Sequence, residues 1–76
     1  MSEELTQKEM ISIVEQNIKQ VCGQIYNGVI SKRVADKTDD KKSSEAAVEN
    51  LKKLEKVKDE FETILKELKE TEDGSN

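Results

Sequence analysis

Apolar residues recur along the first half of the chain at Ile11, Val14, Ile18, Cys22, Ile25 and Val29, in steps of 3, 4, 4, 3 and 4. Five turns over those 18 residues is the period of a straight α-helix. Val21 joins the stripe, and together the seven positions span an arc of about 100°, the width of a helix packed on one neighbour. The strict alternation of a strand is absent. The pattern predicts a helix from about residue 5 to residue 36.

Within it lies VCGQIYNGVISKRV, with two glycines and Asn27-Gly28, a strong hairpin-turn signal. A break there would strand Val29, Ile30 and Val34 and turn the following residues into a long loop for so short a chain. An unbroken helix costs only about 1 kcal/mol per glycine relative to alanine. The helix is therefore expected to continue, with Gly28 admitting a neighbour at the level of Glu49 and Asn50. Gly23, at the stripe's edge, is the counterpart for a second partner.

The second half repeats the motif through Ala47, Leu51, Leu54, Val57, Phe61, Ile64, Leu65 and Leu68, separated by Lys and Glu at helical spacing. From Leu54 the steps become heptad-like. Asn50 and Lys58 fall inside this arc. A buried asparagine can set register there, and a lysine stem can lie along a seam with its tip in water. Between the helices DKTDDKKSSE loses the apolar period and carries the cap candidates Thr38, Asp39, Ser43 and Ser44, the second helix starting anywhere from Asp39 to Ser44. So short a connection makes neighbouring helices antiparallel.

The expected fold is all-α: one antiparallel, coiled-coil-like hairpin over residues 1–70, with helices at about 5–36 and 43–70, a loop at about 37–42 and a disordered tail at 71–76. Such a core rarely supplies more than roughly 3–5 kcal/mol. The first helix also has more apolar surface than one partner covers: Tyr26, Ile30 and Val34 fan out to one side of its stripe, Met10 and Ile13 to the other. Contiguous exposed apolar surface marks an interface. Hairpins are accordingly expected to associate into a helical bundle, or to bind another protein. The interface is assigned to Ile11, Val14, Ile18, Cys22, Ile25, Tyr26, Val29, Ile30 and Val34 of the first helix with Leu54, Phe61 and Leu65 of the second.

Composition narrows the chemistry. The 76 residues include no histidine, proline or tryptophan and a single cysteine, with 39% charged side chains and a net charge of −4. There is no pair for a disulfide, no set of zinc ligands, and no nucleophile with an evident base beside it. Cys22 on an apolar stripe reads as a small hydrophobe, and no cofactor is implied. The acidic run near Asp36 is too short for a calcium loop. No apolar run reaches a membrane span, and the amino terminus is acidic where a signal peptide is basic, so a cytoplasmic protein is expected.

Lys32, Arg33, Lys37, Lys41 and Lys42 gather at the loop end among three aspartates, while acidic residues dominate the other end. This cluster is the candidate contact for an anion or a partner. Direct nucleic-acid binding is disfavoured by the acidic total and by Tyr26 being the only aromatic nearby. The expected function is a non-enzymatic interaction module, a self-associating hairpin acting as adaptor, assembly chaperone or inhibitor of a larger protein. The size suits a virus-encoded accessory protein by analogy alone. The alternative is an oligomer holding a nucleotide or other small anion between subunits, or a weak nucleic-acid binder acting through the basic tip.

Overall fold

The computed structural model describes residues 4–74, with side chains described for 4–71. Two helices, α1 (Gln7–Lys37) and α2 (Lys41–Gly74), fold back on each other as an antiparallel hairpin. Cross-links at three levels fix the sense. Gln7 Nε2 donates to the Leu68 carbonyl, Lys69 meets Glu15 at 3.7 Å, and Ser44 Oγ donates to Asp36 at 2.6 Å. The result is a flat rod of 56 × 26 × 14 Å, one helix thick. Its radius of gyration of 17.2 Å exceeds the roughly 11 Å of a compact chain of this length.

Both ends of α1 are closed by local chemistry. Thr6 Oγ1 accepts from the Glu9 amide at 3.1 Å while the Glu9 carboxylate accepts from the Thr6 amide at 2.8 Å, a reciprocal capping box. At the other end the Asp40 amide donates to the Ala35 carbonyl and the Asp39 amide to Asp36. This is a Schellman closure with Asp39 at φ 61°, the left-handed conformation a glycine would normally take. Asp40 then caps α2, accepting from the Ser43 amide at 3.1 Å. The connection is thus three residues, Thr38 to Asp40, shorter than the expected loop at about 37–42.

α1 begins at Gln7 rather than residue 5, and α2 starts two residues earlier than expected. α2 also continues through Gly74, so residues 71–74 of the expected tail are helical; residues 75–76 lie outside the described residues. The backbone passes through Asn27-Gly28 without a break. Gly28 is buried because a Cβ there would stand 2.8 Å from Leu51 Cδ2. By contrast, a Cβ on Gly23 would meet nothing within 4 Å.

The seam differs from the straight-helix stripe. Residues turned inward on α1 are Gln7, Ile11, Val14, Ile18, Val21, Ile25, Gly28, Lys32 and Ala35, an unbroken alternation of four and three. On α2 the inward residues Ser44, Ala47, Leu51, Leu54, Lys58, Phe61, Leu65 and Leu68 alternate three and four. Two helices that stay in contact over their full length must keep a 3.5-residue repeat, whereas a straight 3.6-residue reading drifts off the contact line. That drift corrects four assignments. Cys22 and Val29 are exposed, Val21 and Gly28 taking their places, and Val57 and Ile64 are 42% and 39% exposed rather than in the stripe.

Taking Gly28 against Leu51 as one layer, the register sets Ala35 opposite Ser44, Ile25 opposite Leu54, Val21 opposite Lys58 and Ile18 opposite Phe61. Among the described residues only Val21 (7% exposed) and Ala35 (4%) are buried apolar side chains. Apart from these and the buried Gly28, the seam residues keep one edge in water.

Candidate interaction surfaces

The described residues leave eight large apolar side chains exposed, five on α1, two on α2 and Leu5 just before α1. Tyr26 (65%), Ile30 (43%) and Val34 (57%) are open to solvent, as expected. Val34, however, falls in the same seven-residue row as Ile13 rather than on the opposite side of the stripe from it, because the seam follows a 3.5-residue repeat. Of the other residues assigned to an interface, Ile11, Val14, Ile18 and Ile25 of α1 and Leu54, Phe61 and Leu65 of α2 are spent, half-buried, on the intramolecular seam. Cys22 and Val29 instead join Tyr26, Ile30 and Arg33 in a second stripe, roughly 110° around α1 from the seam. The spacing 26, 29, 30, 33 is one helical face. Val48 of α2 is half-buried although it lies outside the seam repeat.

The loop end holds an ordered set of local bonds rather than a converging basic cluster. Lys32 occupies a seam position and reaches Asp36 at 2.7 Å. Asp36 also accepts from Ser44, and Asp40 from both the hydroxyl and the amide of Ser43. Arg33, Lys37, Lys41 and Lys42 are exposed around the tip. The bond from Lys32, then that from Ser44, holds the Asp36 carboxyl below the ordinary 3.8, and the Ser43 bonds lower Asp40 likewise.

A carboxyl depressed in the folded state contributes stability that is present above the unfolded value of 3.8 and is lost as pH falls through the lower, folded one. Carbon-detected NMR titration should therefore find both aspartates titrating below 3.8, with the α2 amino terminus loosening as they protonate. A carboxyl titrating at or above that value would contradict the tip geometry.

The polar members of the seam, Gln7, Asn17 at its edge, and Lys32, were not anticipated as contact residues. The signal available in the sequence was the seven-residue repeat Gln7, Val14, Val21, Gly28 and Ala35, which mixes polar, apolar and glycine positions and so carries no hydrophobic contrast. Lys58 behaves as its placement in the arc suggests, its stem half-buried and its ammonium 3.8 Å from Glu62. Asn50, in contrast, is exposed on one broad face of the rod. There it lines a shallow groove with Gln24, Asn27, Ser31, Ser43 and Ala46, floored by Gly28 and Ala47.

No described helix is long and apolar enough to cross a membrane. No protein-family model, curated protein or solved structure matches the chain.

Proposed function

We propose that this chain is a non-enzymatic protein–protein interaction module: a self-associating helical hairpin that presents one face of α1 to a larger partner, as an adaptor, assembly chaperone or inhibitor does. The observation that carries this reading is the imbalance of apolar surface: among the described residues eight large apolar side chains are exposed, while the buried apolar ones are Val21 and the small Ala35. A layer one helix thick has no inside in which to place them; three of the eight, Tyr26, Val29 and Ile30, are neighbours on α1, and contiguous apolar surface of this kind is interaction surface.

The stripe Tyr26, Val29, Ile30 and Arg33 has the i, i+3, i+4, i+7 spacing with which an amphipathic helix fills a hydrophobic groove. Tyrosine and arginine are also the residue types that most often dominate binding energy. All four are exposed, so none is needed to hold the hairpin.

The test is affinity capture with the wild-type chain and with Tyr26→Ala and Ile30→Glu. Both variants are expected to keep wild-type helicity and melting by circular dichroism while losing the captured protein. Capture undiminished by either substitution, or loss of helicity in both, would overturn the assignment of this stripe.

A further inference from the structure

The groove beside Gly28 belongs to a face whose chemistry differs from the rest of the molecule. Along α1 it comprises positions 6, 10, 13, 17, 20, 24, 27, 31, 34 and 38, stepping by four and three beside the seam. In a chain with 39% charged residues, none of these ten is charged. The adjoining row of α2, Ser43, Asn50, Val57, Ile64 and Thr71, is uncharged too. Depletion of charge is the compositional mark of an interface core.

The α1 row also reads nearly the same in both directions from Cys22. Gln20 mirrors Gln24, Asn17 mirrors Asn27, Met10 mirrors Val34 and Thr6 mirrors Thr38; Ile13 with Ser31 is the one unlike pair. Cys22 is the midpoint of α1, and the register of Gly28 on Leu51 puts Val57 at the same level on α2.

We infer that the uncharged face is covered by a second copy of this chain, laid antiparallel with its two-fold axis crossing the rod at the level of Cys22 and Val57, so that α1 lies on α1 and α2 on α2. This rests on the proposed self-association and names its surface and sense.

A two-fold contact requires that if residue i meets j, then j meets i, and the mirrored row satisfies this chemically. Amides are donors and acceptors at once, so Gln20 can pair with Gln24 and Asn17 with Asn27 of the other copy. Met10 meets Val34. Shape agrees as well: the groove lies in the loop half, and the exposed Ile13 and Ile64 lie in the other half, where the operation carries them over the partner's groove.

Charge selects the same sense. Residues 26–53 hold seven basic and five acidic side chains, while 4–25 and 54–71 hold six basic and nine acidic, so antiparallel rods set net positive halves against net negative ones. The outer row of α2 that borders this face, Ala46, Lys53, Glu60 and Glu67, is charged beyond its first member, and the two-fold operation brings Lys53 to the level of Glu60 in the other copy. A face of 56 × 26 Å offers more than the roughly 800 Å² per partner of a standard interface. The stripe containing Tyr26 and Val29 is left on the opposite side, free for another protein.

The test compares two double substitutions by sedimentation equilibrium, with circular dichroism as the check on folding. Asn17→Lys with Asn27→Lys opposes like charges at both symmetry-related contacts, and Asn17→Glu with Asn27→Lys opposes unlike ones. The wild type is expected to be a dimer. The like-charged variant should dissociate about 100-fold more readily than the unlike-charged one, at about tenfold per opposed pair. Two variants that both remain dimers of equal affinity would overturn the face, and two equally dissociated ones the antiparallel sense. A wild type that is monomeric at every concentration would overturn the dimer together with self-association, while leaving the capture assay on Tyr26 to stand or fall separately.

Discussion

Val21→Lys is expected to abolish cooperative thermal unfolding, whereas Val21→Asp at the same position should leave a folded, weakened hairpin. Val21 is one of two buried apolar side chains among the described residues, and full burial of a valine contributes roughly 1.5–3 kcal/mol. A lysine there forfeits that burial and adds an ammonium in the layer that already contains Lys58. With roughly 3–5 kcal/mol available to a chain of this size, the sum leaves nothing. An aspartate loses the same burial but faces the Lys58 ammonium, whose ion-pair partner Glu62 stands 3.8 Å away. Circular dichroism melts at one protein concentration decide the matter. Equal damage from the two charges would show that Val21 and Lys58 do not share a layer.

Gly28→Val should lower stability by about 1–2 kcal/mol. Any Cβ at this position stands 2.8 Å from Leu51 Cδ2 and 3.2 Å from its Cγ, so the leucine must move or the helices must separate. Overpacking of that kind costs about 1–3 kcal/mol, offset in part by relief of the glycine's poor helix propensity. The clash is with one side chain, which makes a sharp test possible. In the Gly28→Val background, Leu51→Ala should cost less than in the wild type, with a coupling of at least about 0.5 kcal/mol in urea unfolding. Additive effects would mean that the valine is accommodated elsewhere. Because the proposed association would contribute to apparent stability, all four chains of the cycle need the same concentration.

Both results turn on the line of contact between the helices, and that line was only partly legible in the sequence. Two helices and a sharp reversal were written there plainly. Apolar residues recur at helical intervals on either side of a polar stretch containing Asp36 to Glu45, and no other element type produces that spacing. The continuity of α1 through Asn27-Gly28 also followed from local costs, since a turn would have wasted Val29, Ile30 and Val34. That these residues are exposed anyway shows the argument's limit: Val29 is 48% exposed on an unbroken helix. Unbroken backbone and buried side chains are separate questions.

Tertiary structure decided which residues of α1 meet α2. A lone helix has no reason to prefer Val21 over Cys22 or Gly28 over Val29, and hydrophobicity favours the wrong member of the second pair. The preference comes from the partner: two rods in contact over some 30 residues must hold a seven-residue repeat, and that repeat runs through Gln7, Gly28 and Lys32 whatever their polarity. Small and long-stemmed side chains are tolerated there because a seam one layer deep keeps an edge in water. The uncharged face became visible for the same reason. Its rows of four-and-three spacing have meaning only after the seam has fixed which direction is sideways, so the sequence by itself determined the helices and their approximate ends, and the packing of one on the other determined every surface they present.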